Sequence, residues 1–342
     1  MLRNSLKLAA SATALAAFAV AGSPAIAADY FAGKTMTFQV PSGSGGTYHV
    51  YTQLVQRNLG KYIPGKPKTV IQNKPGGGGA KSAAYMANVA PKDGSVVAMI
   101  APGTITTPLV RKVKFDATKF QWLGAPAARA AAIWVWNGYG ISTLKDVQQK
   151  EITIATTGFS SAGSVFPRLA NAVLGTKLKM IYGYKGGGAL NVAVERKETQ
   201  GRWNFYSGFT GVRPGWIKNK KILPLVGTGP RHPALKGIPH FTDLLKPGTT
   251  ERALYDLLGM NLEVGQAFYV PQGTPKKVVG ILKTAFEAMI ADPAFKKEIV
   301  KRRVEYSPVS AEEIVKKIDS AFKAVTPDVL KALKGIYTKK KS

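Results

Sequence analysis

The stretch TMTFQVPSGSGGTYHVY, residues 35–51, joins a short apolar run to a helical pattern through a loop holding Gly43, Gly45 and Gly46. Glycine loses more backbone freedom on folding than any other residue, so three of them between a strand and a helix require a reason. One reason is chemical: the first turn of a helix carries free N–H groups and the positive end of the helix dipole, and glycine lets a ligand approach that backbone closely. The other is a tight strand-to-helix turn that carries no ligand. Either way the stretch predicts a β-strand feeding an α-helix.

That unit recurs along the chain. Short apolar runs stand at Thr69–Ile71, Ser95–Ile100, Ile133–Trp136, Ile152–Ala155, Lys179–Ile181, Ile222–Val226 and Ala267–Val270. Between several of them lie patterns of helical period, such as Tyr51, Leu54, Val55 and Leu59 ending at Gly60, or Val165, Leu169 and Val173 ending at Gly175. Alternation of this kind predicts the α/β class with open, mostly parallel sheets flanked by helices. Two C-terminal helices are signalled by Thr274-Pro275 ahead of Val278, Leu282, Phe286 and Met289, and by the Ser310/Glu313 capping box ahead of Ile314, Ile318 and Phe322.

A second glycine loop, Thr156 to Ser164, follows the run Ile152–Ala155 and precedes a helix. A third, Asn73 to Gly79, lines a cleft or forms a flexible turn, and a fourth, Tyr182 to Gly188, again introduces a helix. None carries a nucleotide fingerprint: Gly43-Ser-Gly45 lacks the third glycine at the dinucleotide spacing, and the phosphate-loop lysine followed by Ser or Thr is missing. Gly158-Phe-Ser160-Ser-Ala162 has alanine where a hydrolase elbow needs its last glycine.

Composition narrows the chemistry further. Residues 1–27 have the form of an export signal, with Arg3 and Lys7, the apolar run Leu8 to Val20, and the small residues Ala25 and Ala27 at the cleavage point. The chain that remains, from about Ala28, holds 46 Lys and Arg against 19 Asp and Glu, a net charge of +27. These cations are scattered and no nucleic-acid motif accompanies them, so nucleic acid is not expected as a partner. A positive field does favour the arrival of small anions. There is no cysteine, and His49, His232 and His240 lie far apart, so no metal or other cofactor is expected.

The ordered series FQVPSGSGGTYHVYTQLVQRNLGKYIPGKP, VIQNKPGGGGAKSAAYMANVAPKDG, TTGFSSAGS, YGYKGGGAL and FYVPQGTPKKVVGILKTAFEAMIADPAFKKEI resembles the periplasmic solute-binding proteins of tripartite tricarboxylate transporters, the Bug-type receptors. The resemblance implies a two-lobed periplasmic-binding-protein-like fold with the ligand cleft between lobes, no catalysis, and location in the periplasm. It implies a monomer that captures a small organic carboxylate by hinge closure and delivers it to membrane permease subunits. By position, lobe 1 would comprise 28–129 plus 265–342 and lobe 2 130–264. The ligand loops would be Ser42, Gly43, Ser44, Gly45, Gly46, Thr47, Tyr48 and His49 in the first lobe. In the second they would be Thr157, Gly158, Phe159, Ser160, Ser161, Ala162, Gly163 and Ser164, with Tyr184 to Gly187, Tyr206 and Ser207 completing the walls. His49 stands where the family often has aspartate, which favours plain carboxylates over amino acids. Arg202 or Arg213 is a candidate partner for a distal carboxylate. The other readings are an exported hydrolase or isomerase built on His49 or Ser160, and a receptor serving a membrane sensor.

Overall fold

In the strand β1 (Thr35–Val40), Met36, Phe38 and Val40 are fully buried, and Gln39 on the opposite face is buried as well. A strand covered on both faces belongs at the centre of a sheet between two helical layers. The computed structural model describes residues 30–338 and places β1 there. The export signal expected at residues 1–27 and the lysines at 339–341 lie outside the described residues. The strands β2 (Lys68–Asn73), β3 (Val96–Met99) and β4 (Gln121–Gly124) follow, and β10 (Phe268–Val270) completes a sheet of order β2-β1-β3-β10-β4. The second sheet, of order β7-β6-β8-β5-β9, comprises β5 (Ala131–Trp136), β6 (Ile152–Ala155), β7 (Leu178–Ile181), β8 (Gly201–Phe205) and β9 (Ile222–Thr228).

The expectation of mostly parallel sheets holds, with one strand reversed in each. β1 pairs parallel with β2 and β3, and β6 with β7 and β8, whereas β10 and β5 run antiparallel to both of their neighbours. β5 is the first strand after the chain leaves the first sheet, and β10 is the strand by which it returns. β5 follows β4 with no helix between them, whereas the helix Thr250–Glu263 precedes β10.

Each sheet is sandwiched. On one face of the first sheet, Met36 and Phe38 pack with Leu54, Val55, Leu282 and Phe286. On the other, Ala98, Trp122 and Tyr269 pack with Ala83, Met86, Ile314 and Ile318. The second sheet packs Ile133, Ile154 and Trp203 against Val165 and Leu169 on one face, and Ala132 and Trp134 against Leu190 and Val194 on the other. The last helix, Pro327–Tyr337, contributes Val329, Leu333 and Ile336 to the second sheet's cluster. No helix among the described residues is long and apolar enough to cross a membrane.

The capping box forms as read from the sequence: Glu313 N–H donates to Ser310 Oγ at 3.1 Å, and Ser310 N–H donates to Glu313 Oε2 at 2.9 Å. Ser310→Ala should therefore cost about 1 kcal/mol, visible as a lower urea midpoint at unchanged slope. A midpoint equal to that of the wild type would mean the cap contributes nothing.

Candidate functional site

β1 and β6 both deliver their chain to a loop and then to a helix, and these loops meet over a cavity of about 350 Å³. From the first sheet come Pro41, Ser42, Gly46, Thr47 and Tyr48, with Pro75 to Gly79 beside them. From the second come Thr156, Thr157, Ser161 to Gly163, Gly183 to Gly187, and Arg202 to Phe205 of β8.

Four helices begin at this cavity: Thr47–Leu59, Ala80–Asn88, Ala162–Leu174 and Gly187–Glu195. Their N-cap residues, Gly46, Gly79, Ser161 and Gly186, make no side-chain hydrogen bond to the first turn. Of the helices that start elsewhere, those at Leu144, Thr250, Pro293, Ala311 and Pro327 are capped by the side chains of Thr143, Thr249, Asp292, Ser310 and Thr326, whereas Lys276–Ala291 has no side-chain cap. The donors that a cap would satisfy are left without a side-chain acceptor where four helices converge on one space.

Arg202 adds a full charge. It lines the cavity but is only 4% exposed, and its guanidinium donates to neutral acceptors: Gly187 O at 2.9 Å, Asn191 Oδ1 at 2.7 Å and Asn204 Oδ1 at 3.1 Å. It forms no ion pair with any acidic side chain of the described residues. Burial draws its pKa down to about 9. Arg129, fully buried where the chain passes between the sheets, donates to Ile100 O at 2.8 Å and lies 5.7 and 5.6 Å from the rings of Tyr48 and Phe205. Burial lowers its pKa to about 10. A buried cation without a carboxylate is costly unless something anionic completes it.

The glycines also meet one another across the cavity. Gly43 N–H donates to Lys185 O at 3.1 Å. A Cβ on Gly46 would fall 3.0 Å from Gly187 Cα, one on Gly78 2.6 Å from Ser161 N, and one on Gly103 2.2 Å from Ser160 O. The loops of the two sheets therefore touch backbone to backbone, at a spacing that side chains would prevent.

Of the residues singled out from the sequence, Ser42, Gly46, Thr47, Tyr48, Thr157, Ser161, Ala162, Gly163 and Tyr184 line the cavity. Gly43, Ser44 and Gly45 sit on the loop without lining it, and Gly43 instead joins the cross-cavity contact. His49 braces the loop from outside: its Nδ1 is 3.3 Å from Asn73 Nδ2, which also donates to Ser42 O at 2.8 Å. Burial lowers the His49 pKa, favouring the neutral ring. Gly158 and Phe159 turn to a separate groove, where the Arg168 guanidinium stacks 3.7 Å above the Phe159 ring. Ser160 Oγ accepts from Arg111 Nη1 at 3.0 Å, and none of the three histidines hydrogen-bonds it. Ser164 is fully buried. Tyr206 stacks on His232, 4.3 Å between ring centres, and Ser207 is buried beside Glu305, both away from the cavity. Arg213 points its Nη1 to Val212 O rather than to the cavity. Trp203 lines the cavity, and so do Asn204 and Phe205, which were not chosen for it. The available signal was the polar pair Arg202 and Asn204 in a strand with all five residues buried.

No family model matches the chain. Among solved structures, it is similar to the periplasmic binding protein BugD, at 20% identity and a TM-score of 0.71, over 89% of this chain and 97% of that one. It is similar to R. palustris Rpa4515, solved with adipate, at 18% identity and a TM-score of 0.68, over 89% and 97%. MatC from Rhodopseudomonas palustris, solved with bound malate, matches at 15% identity and a TM-score of 0.68, over 89% and 99%. The resemblance read from the motifs and these likenesses agree, and together they show that the chain has the two-lobed fold of the periplasmic solute-binding proteins.

Proposed function

We propose that the chain is a periplasmic receptor of the tripartite tricarboxylate transporter type, which captures an organic carboxylate in the cavity between its lobes and presents it to a membrane permease. Residues 1–27 act as the export signal. Residues 28–129 and 265–342 form lobe 1 and residues 130–264 lobe 2, although the last helix shares the second sheet's core. The observation that carries this reading is the buried Arg202, without an ion-pair partner among the described residues, in a cavity onto which four helices without side-chain caps open. An anion there completes what the protein leaves unfinished, and the adipate and malate in the similar structures support a carboxylate.

Ser42, Gly46 to Tyr48, Thr157, Ser161 to Gly163 and Tyr184 are the proposed contacts, with backbone amides the main donors. Because the loops of both lobes reach the ligand only when they meet, binding and closure are linked, and the ligand stabilises the closed form by its extra affinity for it. The site offers no acid and base placed to act together on a bound molecule, which favours a receptor over a hydrolase or isomerase.

Titration calorimetry of the mature chain with adipate, malate, citrate and benzoate tests the reading. One of these acids should bind saturably at one site and be recovered unchanged. Absence of binding by all four, or recovery of an altered acid, overturns it.

A further inference from the structure

The short helix Gly103–Thr106 and the turn Thr107–Leu109 carry the chain from β3 to Arg111, whose N–H donates to Thr107 O at 3.0 Å. This segment lies between two strands of the first sheet, yet both of its ends meet one residue of the loop after β6 in the second. A Cβ on Gly103 would fall 2.2 Å from Ser160 O, and Arg111 Nη1 donates to Ser160 Oγ at 3.0 Å. Ser160 is 6% exposed, and Arg111 is the hydrogen-bond partner of its hydroxyl among the described residues. The Arg111 guanidinium also lies 5.6 Å from the centre of the Phe159 ring, within reach of a cation–π attraction. The receiving loop is fixed by its own lobe. Arg168, stacked on the same ring, donates from Nη2 to Phe159 O at 2.6 Å, and Ser161 closes the turn onto Gly158 O through its N–H at 3.0 Å and its hydroxyl at 2.7 Å. Arg111 itself is exposed and forms no ion pair with an acidic side chain among the described residues. An exposed cation that reaches from one lobe to a buried hydroxyl and an aromatic ring of the other makes these contacts while the lobes touch and loses them when they part. The contact is also kept weak, because Arg168 carries a like charge nearby: burial first, and the Arg111 charge as well, lower the Arg168 pKa.

We propose that Arg111 is a positioning residue that latches the closed form through Ser160 and Phe159, slowing release of the bound acid without touching it. This rests on the receptor reading. The acid enters the open form, in which Arg111 is free in water, so the latch leaves the association rate alone. Release requires the lobes to part, and the Arg111 contacts must break for that to happen, so they add to the barrier for opening. A hydrogen bond from a charged donor, reduced by exposure, together with a cation–π contact corresponds to roughly a tenfold change in dissociation rate.

The test is stopped-flow tryptophan fluorescence of the mature chain, Trp203 standing in the cavity wall, with whichever of adipate, malate, citrate and benzoate calorimetry shows to bind. Arg111→Met should raise the dissociation rate about tenfold and leave the association rate within about twofold of the wild type. Ser160→Ala removes the acceptor and keeps the ring, and it should raise the dissociation rate about threefold. The double variant should release about tenfold faster and not about thirtyfold faster, because both substitutions break one shared contact. The unliganded Arg111→Met protein should melt within about 2 °C of the wild type, since the residue is exposed, whereas a role in folding would lower its melting temperature. A dissociation rate for Arg111→Met within about twofold of the wild type, a loss of affinity carried by slower association, or single effects that multiply in the double variant overturns the latch and leaves the receptor reading standing. A wild type that binds none of the four acids overturns both.

Discussion

Glu305→Gln should make the protein more stable than the wild type by about 3 kcal/mol at pH 8 and no more stable at pH 4.5. The Glu305 side chain is 11% exposed and lies in the segment that bridges to the chain between the sheets, where Ala127 pairs with Ser307 and Ala125 with Val309. Burial is the largest influence on its carboxyl and raises the pKa from 4.5 to about 7, outweighing the groups of Ser207 and Ala130 beside it, which lower it. The folded protein therefore holds a proton that the unfolded chain releases. Stability due to this group is complete below about pH 4.5 and is lost as pH rises toward 7, and a rise of this size corresponds to about 3 kcal/mol. Glutamine imitates the protonated form and removes the loss.

The histidines act in the opposite direction. Burial lowers the pKa values of His49, His232 and His240, so their contribution is lost as pH falls. His232 Nε2 is 3.9 Å from Glu305 Oε1, close enough for the two titrations to influence each other. The difference between variant and wild type isolates the glutamate from this background. Urea midpoints of both proteins at pH 4.5, 6 and 8 provide it, and curves that stay parallel across the range would mean that Glu305 titrates as an ordinary surface carboxylate.

The alternation of apolar runs and helical patterns made the α/β layers legible, because burial on both faces leaves strands such as Val96–Met99 uniformly apolar. Strand direction was not legible. β5 and β10 are as apolar as the parallel strand β3, and nothing in Ala131–Trp136 or Phe268–Val270 records which way the chain enters the sheet. β4 and β8 escaped for different reasons. Gln121–Gly124 is too short to establish a period, and Gly201–Phe205 places Arg202 and Asn204 where a buried strand should be apolar. That violation marks the cavity, which is where local rules are expected to fail. The loop expected at Thr156 to Ser164 ends at Ser161, because the helix begins at Ala162 and takes Ala162, Gly163 and Ser164 into its first turn. Which of its side chains face the cavity depends on tertiary contacts, such as Arg168 holding Phe159 away from it. The glycines were read as openings for a ligand or as simple turns, and the structure adds a further use that only the opposite lobe reveals.

That use yields the second large effect: Gly103→Ala should weaken carboxylate binding by about 100-fold, or about 2.7 kcal/mol, without destabilising the unliganded protein. Gly103 opens the short helix Gly103–Thr106 after β3 and lacks the positive φ that would penalise a side chain. Alanine is therefore acceptable to lobe 1 by itself, and inside a helix it is favoured over glycine by about 1 kcal/mol. The obstacle lies in the loop that follows β6 of the second sheet, since the added Cβ would stand 2.2 Å from the carbonyl oxygen of Ser160. Backbone cannot move aside as a flexible side chain can, so contact between the lobes at this point must open, and the ligand loses donors that only the closed form brings together. Gly280→Ala is the control. It lies inside the helix Lys276–Ala291 with nothing within 4 Å of the new Cβ, and it should leave affinity untouched. Melting temperature and calorimetry on both variants separate the two effects. If Gly103→Ala binds carboxylates as the wild type does, the approach of Gly103 to Ser160 is not required for the bound state. If it binds weakly yet melts no lower than the wild type, the deficit belongs to closure and not to folding, which is the distinction that assigns these glycines to the meeting of the lobes.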